Sequence, residues 1–255
     1  MEPDVGANTF IAKSEASKKA LKSAAILKSL KINVLITGES GVGKTPLAQE
    51  IAPKAPIIDA KESSFYSLLN NLSETVIIKN FQNIINLDRL SRVQKEKEIR
   101  LIALSSKETD KKFIDKVFGI KIYLPPLKRR KEDILPLSEL FLKEAKKNLS
   151  VSKSDNFFSN FKPDLSNNAK SLKKSIYKHL LISNFDKEDI ICILEKYFEE
   201  HLGEEDDYRS FLHLYELPLI RAGLKKYGSQ LKLSKVLGLN RNTLRKKIQE
   251  LEKFL

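Results

Sequence analysis

Residues Ile32–Ile51 read INVLITGESGVGKTPLAQEI, and this stretch decides how the first half of the chain is built. A short apolar, β-branched run meets a glycine-rich turn, and an amphipathic helix follows. Within it, Gly38-Glu39-Ser40-Gly41-Val42-Gly43-Lys44-Thr45 fits G-x-x-x-x-G-K-[ST] without departure, in the strand–loop–helix context the motif requires. The chemistry follows from the residue types. Glycines let backbone amides curve around phosphate oxygens, and the helix N-terminus adds its positive end. Lys44 reaches the outer phosphates, and Thr45 is the candidate Mg²⁺ ligand. ATP or ADP is the expected ligand of these eight residues.

Working outward, further apolar runs at Pro56–Asp59, Thr75–Ile78, Ile99–Leu104 and Ile120–Leu124 read as the other strands of a parallel sheet, with helical stretches between most of them. Pro125-Pro126 punctuates a change from sheet to helices, which run to about Phe198. Six acidic residues between Glu199 and Asp207, clustered around Gly203, read as a solvated linker. No internal repeat is present.

The C-terminal stretch Tyr215–Leu251 reads YELPLIRAGLKKYGSQLKLSKVLGLNRNTLRKKIQEL. A first helical pattern is expected to carry Leu219, Ile220 and Leu224 inward. A second, Leu231–Leu237, stops at Gly238, and Asn240 caps a third. On that third helix Leu244, Ile248 and Leu251 recur at i, i+4 and i+7 as a buried stripe, while Arg241, Arg245 and Gln249 share another face beside Lys246 and Lys247. A helix, a tight glycine turn and a basic-faced second helix make a helix-turn-helix, whose recognition helix enters the major groove of double-stranded DNA.

Charge agrees. The chain carries +13, and from Glu216 to Leu255 ten Lys or Arg stand against three Glu, so the excess is concentrated where phosphates would be met. Lysine is high throughout, so part of the total carries no message. Cys192, the one cysteine, precludes an intramolecular disulfide and is expected to pack in a core, which fits a reducing cytoplasm. No apolar run approaches a membrane span and no signal region opens the chain, so a cytoplasmic protein without membrane contact is expected. His179, His201 and His213 are scattered without a second ligand at metal spacing.

Two resemblances add to this reading. The segment Gly238-Leu239-Asn240-Arg241-Asn242-Thr243-Leu244-Arg245-Lys246-Lys247 resembles the Fis-type helix-turn-helix at the C-terminus of NtrC-like bacterial enhancer-binding proteins. Residues from about Phe10 to Phe198 resemble the AAA+ domain of the same proteins. The stretches that carry it are Val34–Ile51, Ile99–Ser106 (IRLIALSS), Leu124–Ile134 (LPPLKRRKEDI) and, more weakly, Leu165–Leu172 (LSNNAKSL). The resemblance implies an α/β fold: a P-loop AAA+ parallel sheet over residues 1–126 and a helical lid over 127–198. An acidic linker over 199–212 and an all-α Fis-type module over 213–255 complete it. It also implies that Leu217–Lys226 packs against its twin in a dimer, that Lys170 stands at the sensor-II arginine, and that no receiver domain precedes the match.

The departures from the family matter as much. The Walker B strand should end in Asp-Glu, one to support Mg²⁺ and one to polarise water. Here Thr75–Ile78 is followed by Lys79-Asn80-Phe81. The sensor-I position reads Ser105-Ser106. Arginine fingers are missing from Asp110–Gly119, where Lys116 is the nearest cation, and Lys170 lacks the bidentate fork of an arginine. Only Ala60–Glu74, without a glycine, joins the Asp59 strand to the next, so the GAFTGA loop that contacts sigma-54 is absent.

Three functions follow as expectations. The first is a transcription regulator that binds DNA as a homodimer or higher homo-oligomer. Its AAA+ part either binds ATP or ADP without hydrolysis, Mg²⁺ being doubtful, or serves only as a scaffold that holds the DNA-binding modules together, and RNA polymerase or another regulator is its partner. The second is a P-loop ATPase with a displaced carboxylate, Asp88 or Glu74. The third is an architectural DNA-binding protein with little sequence choice. For the first, Arg241 and Arg245 match guanine O6/N7 edges, whereas Asn240, Thr243 and Lys246 fix phosphates or register.

Overall fold

The computed structural model describes residues 9–107, 110–151, 157–159 and 161–251. Residues 1–8 and 252–255, the ends of the first and last expected domains, lie outside the described residues. The chain forms two compact units that divide between Phe185 and Asp186.

The first unit is built on five parallel strands, β1 (Val34–Thr37), β2 (Ile57–Asp59), β3 (Thr75–Lys79), β4 (Arg100–Ser105) and β5 (Ile120–Tyr123), in the order β2-β3-β4-β1-β5. Each lies within a residue of its sequence expectation. The inner strands β1, β3 and β4 read as apolar runs because both faces are covered. On one face Val34, Ile36, Ile77, Ile102 and Leu104 pack against Ala20, Ala24 and Leu27 of α1 (Glu15–Leu27) and Leu47, Ala48 and Ile51 of α2 (Lys44–Ile51). On the other, Leu35, Val76, Ile78, Leu101 and Ala103 meet side chains of three helices. Phe65 and Leu69 come from α3 (Phe65–Asn70), Leu90 and Val93 from α4 (Leu87–Glu96), and Phe113 from α5 (Lys111–Val117).

A parallel sheet brings every strand's C-terminal end to one edge. The P-loop after β1, Lys79-Asn80 at the end of β3 and Ser105-Ser106 at the end of β4 therefore converge, at the kind of crevice where open α/β sheets bind ligands. Beyond the sheet, α6 (Lys131–Leu149) and α7 (Asn168–Asn184) pair around Leu142, Ala145, Leu172, Ile176 and Leu180.

The second unit holds α8 (Lys187–His201), α9 (Asp207–Phe211), α10 (His213–Tyr227), α11 (Gln230–Leu237) and α12 (Arg241–Leu251). Its core is Ile220, Leu233, Leu244 and Leu251, with Leu217, Leu224 and Ile248 packed around them. Two expectations are corrected here. Leu219 does not point inward: α10 buries Leu217, Ile220 and Leu224, which share a helical face, and leaves Leu219 37% exposed about 100° around the helix from Ile220. Cys192 is exposed rather than in a core, because its apolar run Ile190–Leu194 winds right around α8, a helix with no buried residue. Residues 199–212, expected as a linker, contain the end of α8 and all of α9, with Asp207 accepting from the amides of Gly203 and Glu204.

Candidate nucleotide site and DNA-binding module

The P-loop takes its shape from glycines in the left-handed region, Gly41 at φ 77° and Gly43 at φ 100°. A side chain at Gly41 would also be obstructed, since a Cβ there would lie 2.5 Å from the carbonyl oxygen of Asn167. The N-terminus of α7 thus presses directly on the loop.

The loop's carbonyls are all engaged. Lys44 Nζ donates to the oxygens of Gly38 (2.6 Å) and Glu39 (2.7 Å), and Asn168 Nδ2 to Ser40 (2.9 Å). The amide of Ala169 donates to Gly41 (3.1 Å), and Arg130 Nη2 to Val42 (2.7 Å). With its carbonyls turned away and bonded, the loop has its amides to offer an anion. Lys44 also donates to Ser106 Oγ at 3.0 Å. Its pKa is lowered to about 8, chiefly by burial and then by the nearby charge of Lys170, against a smaller opposing pull from Glu39.

Ser40, Gly41, Gly43, Lys44, Thr45 and Lys170 line one cleft of about 440 Å³, together with Asp59, Lys79, Asn80 and Ser106. Lys79 therefore stands on the cleft wall where the family's carboxylate is expected. Gly38 and Glu39 line an adjoining hollow with Ser105, Lys107 and Lys121. Val42 faces a mainly apolar cavity with Phe10, Pro46, Leu137 and Phe141. The alternative carboxylates fall elsewhere: Glu74 precedes β3 at the opposite end from Lys79, and Asp88 is exposed in the first turn of α4.

Sequence reasoning missed four groups. Asp59 ends β2 in register with Lys79, and both its oxygens accept from Asn80 Nδ2 at 2.8 Å. Burial opposes its ionisation, but those bonds, the amide of Lys61 and the charges of Lys61 and Lys79 outweigh it and hold the carboxyl below its ordinary range. Its place at the end of the strand beside the P-loop's Walker B neighbour was the available signal. Gln82 Oε1 accepts from Ser105 Oγ (3.1 Å) and the Ser106 amide (3.2 Å). Arg130 and Asp133 form a buried pair under the P-loop: Asp133 accepts from the amides of Lys13 and Ser14 and the hydroxyls of Ser14 and Ser17, and Arg130 Nη1 donates to Ser17. Nothing in local sequence joins residues 119 apart.

In the second unit, Gly238 at φ 64° closes α11, with the Leu239 amide donating to Ser234 (2.9 Å), and Asn240 Oδ1 caps α12 by accepting from Asn242 (2.9 Å). Arg241, Thr243, Arg245 and Lys246 are exposed on α12, as is Asn240 before it. Lys247 instead pairs with Glu216 of α10 and staples the module. Two of the histidines lie against aromatic rings: His179 is edge-on to Phe157, and His201 stacks on Tyr197. Among the described residues no group of His, Cys, Asp or Glu is placed to hold a metal ion, and no helix is long and apolar enough to cross a membrane.

A five-stranded parallel sheet with a P-loop after β1, an inner strand, a helical pair against that loop and a separate capped helix-turn-helix define an AAA+ module joined to a DNA-binding module. The family comparisons say which kind. Residues 10–75 match the Sigma-54 interaction domain and residues 211–251 the bacterial regulatory proteins of the Fis family. The chain thus matches, over these two stretches, both of the domains that NtrC-like regulators combine.

Solved structures of NtrX from Brucella abortus have a similar fold. Its complex with ADP matches at TM-score 0.58 and 14% identity over 95% of this chain and 69% of that one. Its complex with ATP matches at 0.56 and 14% over 94% and 68%. A third NtrX structure gives 0.60 and 14% over 95% and 69%. At such identity the likeness is one of fold. No curated protein sequence matches the chain significantly.

Proposed function

We propose that this chain is a DNA-binding transcription regulator whose AAA+ part holds ATP or ADP without turning it over and does not remodel sigma-54 polymerase. Lys79 and Asn80 on the cleft wall carry this reading, because neither side chain can serve as a metal-supporting carboxylate or accept a proton from water. Gly38–Thr45 and Lys170 hold the phosphates, and the apolar cavity beside Val42 takes the base. Residues 60–74, which include α3, contain no glycine and no GAFTGA sequence to contact sigma-54. Regulation then runs through repression or another polymerase form. The protein works in the cytoplasm.

On DNA, Arg241 and Arg245 read guanines while Asn240, Thr243 and Lys246 fix the backbone. The exposed Tyr215 and Leu219 of α10 supply a face for a second copy, which makes the site palindromic. The division of labour is an ATPase-derived part in the first unit, ending at Phe185, and a DNA-binding part over 213–255 within the second.

The test is selection of duplexes from a random pool by the full chain, with ATP turnover measured on the same preparation. A recovered palindrome and no turnover support the reading. Equal affinity for all sequences would favour an architectural protein. Turnover abolished by Lys44→Ala would favour a working ATPase, for which Asp59 is the one carboxylate lining the cleft among the described residues.

A further inference from the structure

Magnesium accompanies nucleotide in most P-loop sites, and the residues here do not fit it. Mg²⁺ asks for near-octahedral oxygen ligands, with a carboxylate or two beside the phosphates and waters. Thr45 offers a hydroxyl, but the strand end facing it presents Lys79, which has no lone pair for a metal. Asp59, the carboxylate on the cleft wall, has both oxygens bonded to Asn80, and Oδ1 also accepts from the Lys61 amide at 3.0 Å. It sits in register with Lys79 across the β2–β3 ladder. A divalent ion beside that ammonium is repelled twice as strongly as a second ammonium at the same distance.

The same cleft is well furnished for the phosphates themselves. Lys44, Lys79 and Lys170 line it against one carboxylate among the described residues, that of Asp59. Ammonium groups bind phosphate as point charges with several donors each.

We infer that the cleft binds a nucleoside di- or triphosphate without magnesium, the ammoniums of Lys79 and Lys170 joining Lys44 to supply the positive charge a metal supplies elsewhere. This rests on the nucleotide reading above. Asn80 has a part in it: by donating to both oxygens of Asp59, it competes with a cation for that carboxylate.

Titration calorimetry of the full chain with ADP and with ATP, in EDTA and in millimolar MgCl₂, tests the inference. Affinity in EDTA equal to that in MgCl₂ within about threefold is expected, and Lys79→Ala should weaken binding about tenfold or more in EDTA, the loss of one charge-assisted contact. Lys79→Asp should make binding depend on MgCl₂. A folded Lys79→Ala protein, checked by thermal melting, with unchanged affinity would overturn the role of Lys79. Binding only in MgCl₂ would overturn the inference and leave the nucleotide reading standing. Absence of binding in both buffers would overturn both.

Discussion

Asn80 Nδ2 donates to both carboxylate oxygens of Asp59 at 2.8 Å, tying the residue after β3 to the residue that ends β2. Asn80 holds a left-handed backbone, φ 53°, which asparagine tolerates better than most residues. An asparagine here therefore does two things at once: it fits the turn after β3, and it offers a donor where an acid would repel Asp59.

The consequence is a test of restoration. Asn80→Asp keeps the turn, since aspartate also tolerates that backbone, but sets two carboxylates against each other. At pH 7 we expect a loss of about 1–2 kcal/mol in denaturant melts, from the lost bond and the added repulsion. The loss should shrink as pH falls and the pair comes to share a proton. A loss independent of pH would sink the electrostatic account.

Lys44 gives a pH dependence of opposite kinds for binding and for stability. Its folded-state pKa is lowered to about 8, chiefly by burial. Phosphates favour the charged form, so ADP affinity is expected to hold up to about pH 8 and then fall by up to tenfold per unit. Stability without ligand runs the other way. The folded chain sheds this proton near pH 8, the unfolded chain only near 10.5, so this group destabilises the fold below pH 8 and progressively less between the two. Calorimetry and thermal melting across pH 7 to 10 measure both trends, and Lys44→Met should abolish both.

Asp133 ties the segment before α1 to the lid. Although burial disfavours its charge, hydrogen bonds from Ser17, Ser14 and Lys13 prevail and lower its pKa. A lowered carboxylate pKa stabilises the fold above the unfolded value, about 4, and that contribution is lost as pH falls through the folded value. Asp133→Ala leaves the buried Arg130 without its counter-charge, at an expected cost of about 3–5 kcal/mol in urea melts. Asp133→Asn, which keeps part of the hydrogen bonding, should cost less.

The fold was legible where its signals are local. The P-loop glycines, the apolar strands buried on both faces, the Gly238 stop and the Asn240 cap each announce themselves within a few residues. Lys79 was legible as a misplaced cation because a motif fixes what should stand there. The rest depended on distant partners. Asp59 looks like any strand-ending acid until the β2–β3 register sets it beside Asn80, and Asp133 looks like a helix-start acid until Ser14 and Ser17 cover it. Leu219 and Cys192 went astray for a related reason. Adjacent apolar residues on a helix cannot all face one core, and sequence does not say which are left out.

Gly223 tests whether the helix-turn-helix is held by close packing. A Cβ there would lie 2.3 Å from Leu233 Cδ1, and Leu233 is 1% exposed, so its side chain has nowhere to retreat. Gly223→Ala is expected to destabilise the second unit by about 1–3 kcal/mol through overpacking, despite the better helix propensity of alanine. Pairing it with Leu233→Val should recover part of that loss in thermal melts. A stabilised single variant would show that α10 and α11 can move apart freely.

Arg241 and Lys246 lie five residues apart on α12, both exposed, yet their expected roles differ. An arginine near the N-terminus of a recognition helix can present its fork to a guanine edge, and Arg241→Ala should then cost about 1–3 kcal/mol on the selected site while relaxing base choice at one position. Lys246 is held only loosely, 3.8 Å from Glu250 on an exposed face, a contact worth little by itself. Free to reach a phosphate, it should on conversion to alanine weaken selected and random duplexes alike and reduce the salt slope by about one. Binding isotherms on both duplexes at several salt concentrations separate the two. If the two variants lose the same amount on selected and random DNA, α12 reads no bases and binds by charge alone.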